Sequence, residues 1–307
     1  MRYRELGKTG VLVSEVGLGG NRLGQDSQPD EYWIQLVRRA ADLGVTVFDT
    51  AEAYGWGRSE EMIGLALGNR DDVLIASKMC RVQETDEKDY SAARMTETVE
   101  NSLRRLRRDC IDIYQLHSPS RQDLERFDWA EGMETLRRQG KIRFAGVAVN
   151  SAADGVWLIE QGAVQALQLT YSIFVTEPEQ ALFGLAEKRG VGLLCRMPLA
   201  RGVLTGKFRV GQEVPAGHRA LLDGPRMGEN IRRAESLRAL ATEYEGGMTR
   251  LALRFSLTPQ AVSAIIPGAR TLEQLEENVA ASNGVGLPSQ VSEQIAHLRA
   301  GWAGGPA

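Results

Sequence analysis

Eight short apolar runs recur along this chain, each separated from the next by a longer segment of mixed polarity. They are Glu15–Leu18, Val45–Phe48, Val73–Ser77, Ile111–Leu116, Ile142–Ala148, Ala166–Leu169, Val191–Cys195 and Val262–Ile266. Runs this short, rich in branched residues and almost continuously apolar, suit strands buried on both faces. The segments between them carry apolar residues at the helical period. Examples are Ile34, Val37 and Ala41 (with Asp30 as a cap), then Met95, Val99, Leu103 and Leu106, then Leu182, Leu185 and Ala186 after Pro178. Strand and helix in strict alternation predict a parallel sheet covered by helices. Eight repeats favour closure into an α/β fold of the (β/α)8 TIM barrel type over an open sheet.

Such a barrel occupies about 250 residues, and this chain of 307 has some to spare. The surplus falls in three places: an amino-terminal β-hairpin over 1–13 around Gly7–Gly10, a tail over 281–307, and the gap between the seventh and eighth runs. That gap predicts an extra helix near 229–245, another near 248–257, and a long loop holding Pro215, Gly217, Pro225 and Gly228. A loop of this length in a compact domain is expected to bind something or to act as a lid. No linker divides the chain, so 1–307 is expected to be one domain with its barrel over 14–280.

A net charge of -3 gives no general attraction to nucleic acid or to an anionic membrane. The basic run Arg104–Arg108 falls in the last turn of an expected helix, where it complements the dipole. No run approaches the length of a membrane span, and Met1–Glu5 does not read as a signal peptide. Cys80, Cys110 and Cys195 form no paired spacing and are expected to be reduced thiols in a cytoplasmic protein. His117, His218 and His297 lack metal-ligand spacing, so no metal is expected. Gly17-Leu18-Gly19-Gly20 is not a dinucleotide fingerprint, because Arg22 stands where the third glycine would be.

What stands at the carboxyl ends of the runs is more informative, since that rim carries the site in a barrel of this kind. The second run ends in Asp49, with Tyr54 five residues on, and the third in Ser77-Lys78. The fourth ends in His117-Ser118, the sixth carries Gln168, the seventh ends in Arg196, and the eighth leads into Pro267-Gly268-Ala269-Arg270. Strands with a purely structural role would finish in turn residues alone. A phenol is a poor proton donor near pH 7. A lysine ammonium about 4 Å away, at an effective dielectric near 20, offers about 4 kcal/mol towards proton release. Lys78 is therefore expected to tune Tyr54, Asp49 to keep Lys78 charged, and His117 to orient a carbonyl or help pass the proton.

These residues resemble a known family, the aldo-keto reductases. Asp49-Thr50-Ala51-Glu52-Ala53-Tyr54-Gly55 is similar to its signature around the catalytic tyrosine. Ile75–Lys78 and Asp112–His117 are similar to its lysine and histidine segments. Pro198–Lys207 resembles its loop over a cofactor pyrophosphate, and Ile266–Arg270 with Gln274, Glu277 and Asn278 its adenosine phosphate site. The resemblance implies an enzyme transferring hydride between NADPH (NADH the alternative) and an aldehyde or ketone, or the reverse oxidation of an alcohol or sugar. Tyr54, Asp49, Lys78 and His117 would be catalytic. Gly20, Asn21, Asp49, Gln168, Arg196, Pro198, Leu199, Arg201, Lys207, Gly268, Ala269, Arg270, Gln274, Glu277 and Asn278 would hold the cofactor. Arg270 favours the phosphate of NADPH, since its fork donates two hydrogen bonds to an anion. The helix opening after Thr271 adds backbone N–H donors.

The family pattern is broken in two places. Ala148-Val149 stands after Gly146-Val147 where many relatives have Ser-Asn, and Met79-Cys80 where some have an aromatic residue after the lysine. Trp56, Met79, Cys80 and Ser118 are expected to wall the substrate pocket. A monomer or small homo-oligomer is expected. Two other readings compete: an aldolase-like enzyme using Lys78 as a Schiff-base nucleophile, and a cofactor-binding regulatory subunit with little turnover, as some family relatives are.

Overall fold

A computed structural model describes residues 1–302 with the exception of Asn69 and Cys80. The hairpin strands β1 (Tyr3–Glu5) and β2 (Leu12–Ser14) pair antiparallel, Tyr3 opposite Ser14. Eight strands follow: β3 (Leu18–Gly19), β4 (Val47–Asp49), β5 (Leu74–Met79), β6 (Ile111–His117), β7 (Ile142–Ala148), β8 (Ala166–Thr170), β9 (Gly192–Arg196) and β10 (Val262–Ile266). Each pairs in parallel with the next, in chain order. Parallel bridges from Val16 to Ile265 and from Gly19 to Gly268 join the first strand to the last. The eight-stranded barrel expected from the alternation is thus present.

The barrel's interior shows the period of a strand. Val47, Leu74, Ala76, Ile113, Ala166, Leu194 and Ala264 form one apolar cluster, which Leu6 and Val13 of the hairpin join. The hairpin is fastened there: Lys8 N–H donates to Gly190 C=O at 2.9 Å, and Arg4 donates to the carbonyls of Leu257, Pro259 and Val262. One step outward along the same strands, Ile75, Met79, Tyr114, Leu116, Val147 and Leu193 belong to the larger cluster between sheet and helices. Above the aliphatic floor the inward positions turn polar, with Asp49, Lys78, Gln115 and Gln168 all buried.

The helices that fix the site are α1 (Asp30–Asp42), α2 (Arg58–Leu67), α3 (Ala92–Leu106), α4 (Arg121–Arg126), α5 (Trp129–Arg138), α6 (Ala152–Gln161) and α7 (Pro178–Arg189). Pro29 occupies the N-cap of α1, placing Asp30 in its first turn rather than at the cap. After β9 come 3-10 turns at Ala200–Thr205 and Arg219–Arg226, then α8 (Met227–Ser236), α9 (Arg238–Glu243) and α10 (Gly247–Leu257). The single helix expected near 229–245 is therefore two, broken at Leu237. After α11 (Leu272–Val279), the tail expected over 281–307 contains α12 (Ser289–Trp302). Its Trp302 meets Phe174 edge to face and donates to Ser236 Oγ at 3.1 Å.

Candidate active site

Four side chains from the carboxyl ends of three neighbouring strands and one loop converge at the barrel mouth. Lys78 is fully buried; its Nζ lies 2.7 Å from Asp49 Oδ1 in an ion pair and donates to Asp49 Oδ2 at 2.8 Å and to Thr50 C=O at 2.7 Å. Asp49 Oδ1 also accepts from Gln168 Nε2 at 2.7 Å. Lys78 Nζ lies 5.0 Å from the centre of the Tyr54 ring. The Tyr54 and His117 rings meet edge to face, 5.6 Å between centres at 84°. Phenol, ammonium and imidazole share one end of the cylinder.

The Tyr54 turn is held from below. Thr50 N–H donates to Ala76 C=O and Glu52 N–H to Lys78 C=O, which ties the segment to β5. Glu52 accepts from Arg94 of α3 at 3.1 Å. Gly55 and Gly57 take positive φ, 62° and 95°, which glycine adopts without a Cβ penalty. Ser59 N–H then donates to Tyr54 C=O, starting α2 directly behind the phenol. Deeper still, Glu60 accepts from Ser77 Oγ and from Arg105 Nε at 2.7 Å, which pins α2 and α3 to the strand carrying Lys78.

Burial, together with the cations Lys78, Arg196, Arg81 and Lys88, holds the His117 imidazolium down to about 3. His117 is therefore neutral at any working pH, with one ring N–H to donate and one ring nitrogen able to accept. Of the two roles expected for it, orienting a carbonyl fits a neutral ring better than donating from an imidazolium.

A cavity of about 450 Å³ opens beside this cluster and runs across the carboxyl rim. Its wall near the acid–lysine pair includes Gly20, Asn21, Asp49, Tyr54, Gln168 and Arg196. Pro198, Leu199, Arg201 and Lys207 line its middle, and Gly268, Ala269, Arg270, Gln274, Glu277 and Asn278 its far end. Every residue expected to hold a cofactor borders this one cleft. A Cβ on Gly20 would come within 2.8 Å of Asp49 C=O and of Ser59 Oγ, so that wall admits only glycine without a shift. Gln274 Oε1 accepts from Arg270 N–H at 2.9 Å, and Thr271 Oγ1 caps α11 by accepting from Gln274 N–H.

Several lining residues were not anticipated from the sequence, notably Arg22, His218, Arg219 and Thr249. Arg22, Arg219 and Arg270 concentrate positive charge around the cleft, with the basic groups of Lys207 and His218 among them. Burial, then Arg270 and Arg219, make the Arg22 guanidinium easier to deprotonate than usual. Burial and Arg270 do the same to Lys207. Among the described residues, Arg22 Nη2 is buried without a hydrogen-bond partner. Arg201 differs, being paired with Asp223. Cations that repel one another around an open cleft call for an anion, and phosphate groups fit that requirement.

The expected substrate wall is only partly assembled. Trp56 is 41% exposed on the loop after Tyr54, with φ 50°, and Ser118 follows His117 with φ 58°. Met79 is 1% exposed and belongs to the apolar layer under the helices, since it sits one residue past inward-facing Lys78. It is therefore not a pocket wall. Cys80 lies outside the described residues. One residue past Ala148-Val149, the exposed Asn150 lies within reach of Arg196, whose Nη2 donates to Val149 C=O at 3.1 Å and to Asn150 Oδ1 at 3.4 Å.

The sequence profile of the aldo/keto reductase family matches residues 15–300. The chain belongs to that family. It is 33% identical to the aldo-keto reductase YhdN of Bacillus subtilis, over 90% of this chain and 87% of that one. The holo form of aldo-keto reductase AKR11C1 from Bacillus halodurans superposes with a TM-score of 0.81 at 30% identity, covering 97% and 96% of the two chains. Glycerol dehydrogenase AKR11B4 from Gluconobacter oxydans gives a TM-score of 0.84 at 25% identity, covering 99% and 97%. The protein is accordingly an oxidoreductase of the aldo-keto reductase family, whose members use nicotinamide cofactors on small carbonyl compounds. Among the described residues, no helix is long and apolar enough to cross a membrane.

Proposed function

We propose that this aldo-keto reductase interconverts an aldehyde or ketone with its alcohol, using NADPH, with Tyr54 moving the proton at the carbonyl oxygen. The observation that carries the reading is the fully buried Lys78 ammonium, clamped by Asp49 and set 5.0 Å from the Tyr54 ring. A bound nicotinamide supplies or accepts the hydride. The chain's own residues do the rest. Lys78 stabilises negative charge that grows on the phenol oxygen as its proton leaves. Asp49 holds Lys78 in place and keeps its charge compensated. His117, neutral, orients the carbonyl oxygen towards Tyr54. Gln168 has one amide N–H committed to Asp49, which leaves its Oε1 for a carboxamide donor. Arg22, Lys207, Arg219 and Arg270 support a cofactor carrying the additional 2′-phosphate over NADH.

The Schiff-base reading loses support. The Lys78 ammonium is ion-paired with Asp49 and donates to its Oδ2 and to Thr50 C=O, and a nucleophilic amine would have to shed the carboxylate partner. The test is Tyr54→Phe against a panel of carbonyl compounds, with NADPH affinity measured in parallel by fluorescence quenching. Loss of turnover by about 100-fold or more with affinity retained is expected for a removed general acid. Undiminished turnover would refute the role given to Tyr54. The reading takes a small carbonyl compound or alcohol as the partner and the cytoplasm as the location.

A further inference from the structure

At the cationic end of the cleft, one pair of side chains has a proton count that does not close. Lys207 Nζ lies 2.9 Å from His218 Nε2. The other ring nitrogen, Nδ1, accepts the backbone N–H of Ala220 at 3.1 Å. A backbone amide can only donate, so Nδ1 carries no proton. The single proton of a neutral imidazole must then sit on Nε2, since a ring bare at both nitrogens would be an anion. That places an N–H opposite Nζ, and an ammonium has three donors and no acceptor. The two donors conflict unless Lys207 is an uncharged amine. The pair then holds one proton fewer than a lysine and a neutral histidine ordinarily carry at pH 7.

The surroundings explain the deficit. The charged groups acting on His218 are all cationic: Lys207, Arg270, Arg22 and Arg219. They come from its own loop, from the turn before α11 and from the turn after β3. The Phe208 ring meets His218 edge to face, 4.9 Å between centres, and its centre lies 5.1 Å from Lys207 Nζ. Burial and these neighbours push His218 and Lys207 alike towards their neutral forms. A further proton among these cations is unfavourable until an anion arrives.

We propose that the Lys207–His218 pair takes up one proton from solvent when a phosphate group of the dinucleotide binds, making His218 a proton-linked element of that site. The inference rests on the reading of this cleft as a dinucleotide site. A phosphate offsets the charge of Arg22, Arg219 and Arg270, so the amine of Lys207 gains the proton and its ammonium turns to the phosphate oxygen. His218 is left with Nε2–H free to donate to the same anion. Because the complex holds more protons than the free protein, affinity falls as pH rises, by up to about tenfold per unit for one proton.

Calorimetry of NADPH binding to the full chain, at pH 7 and fixed ionic strength in chloride buffers of different ionisation enthalpy, counts the protons directly. Wild type is expected to bind more protons than His218→Asn and Lys207→Met, each variant losing more than half of the difference a full proton would make. Proton release by the nucleotide's own 2′-phosphate is common to all three proteins and cancels in that comparison. Repeating the titration with NADH separates the sources. A retained difference places the pair on the diphosphate, and a lost one on the 2′-phosphate. Identical proton counts in all three proteins with NADPH bound would overturn the inference while leaving the cofactor reading intact. Failure of wild type to bind NADPH would overturn both.

Discussion

Asp49→Asn is the substitution whose consequence the geometry defines best. It keeps the shape of the side chain and removes the charge facing a lysine with no solvent exposure. At 2.7 Å and an effective dielectric near 20, the ion pair attracts by about 6 kcal/mol. Taking each ion out of water costs several kcal/mol, so the intact pair contributes little net stability. Removing one partner is different, because the Lys78 ammonium stays buried with Thr50 C=O and a weak amide oxygen in place of the carboxylate. Loss of about 3–5 kcal/mol is expected, the range for a broken buried pair. The double variant Asp49→Asn/Lys78→Met removes the stranded charge and should regain most of that loss. Urea unfolding of the three proteins measures both quantities, and NADPH-dependent turnover measured alongside should be lost in the single and double variants alike. A single variant within about 1 kcal/mol of wild type, or a double variant no more stable than the single, would refute the reasoning.

Arg270→Ala should weaken NADPH binding by about 10- to 100-fold, the loss of a charge-assisted bond, and NADH binding far less, both measured by fluorescence quenching. His117 carries a proton in the unfolded chain below about pH 6.5 but in the folded protein only near 3. Its contribution to stability is therefore complete above the unfolded value and is lost as pH falls towards the folded one. Urea unfolding at pH 7 and pH 4 should show His117→Asn spared about 3 kcal/mol of the acid loss seen in wild type. Arg105→Met strands the buried Glu60 carboxylate and should cost about 3–5 kcal/mol. Arg58→Met, at the exposed pairs with Asp30 and Glu61, should cost no more than about 1 kcal/mol in the same denaturation.

The barrel and its reacting end were legible because both depend on local rules. Strands of a parallel sheet buried on both faces read as continuous apolar runs, and a polar or ionisable group in or at the end of such a run has little reason to be there except a site. Asp49, Lys78, His117 and Gln168 were visible on that ground. Met79 was misplaced although the rule that corrects it is also local: it follows Lys78, so its side chain faces the helices. The cationic end was less legible. Arg22, His218 and Arg219 sit in irregular segments, where no period says which way a side chain points. Only the folding of three distant turns onto one cleft brings them together. Leu237, where the predicted helix breaks, has helical dihedrals on both counts, and nothing in its residue type signals the interruption.

The two ends of the cleft are built on opposite electrostatic plans, and this division constrains what can bind across it. At the reacting end the lysine charge is answered internally: Lys78 by Asp49, and Asp49 again by Gln168. A ligand there needs no net charge, only an oxygen that can share the Tyr54 proton. At the other end cations outnumber Glu277, the one carboxylate named in that wall, and crowd Arg22 and His218, inside a protein whose overall charge is -3. Local charge of the sign opposite to the whole cannot arise from composition, so it is a property of the cleft. A ligand spanning both ends must therefore be neutral at one end and polyanionic at the other. That asymmetry fits the proposed reading, in which a reduced dinucleotide lies with its nicotinamide ring at Tyr54 and its phosphates at Arg270.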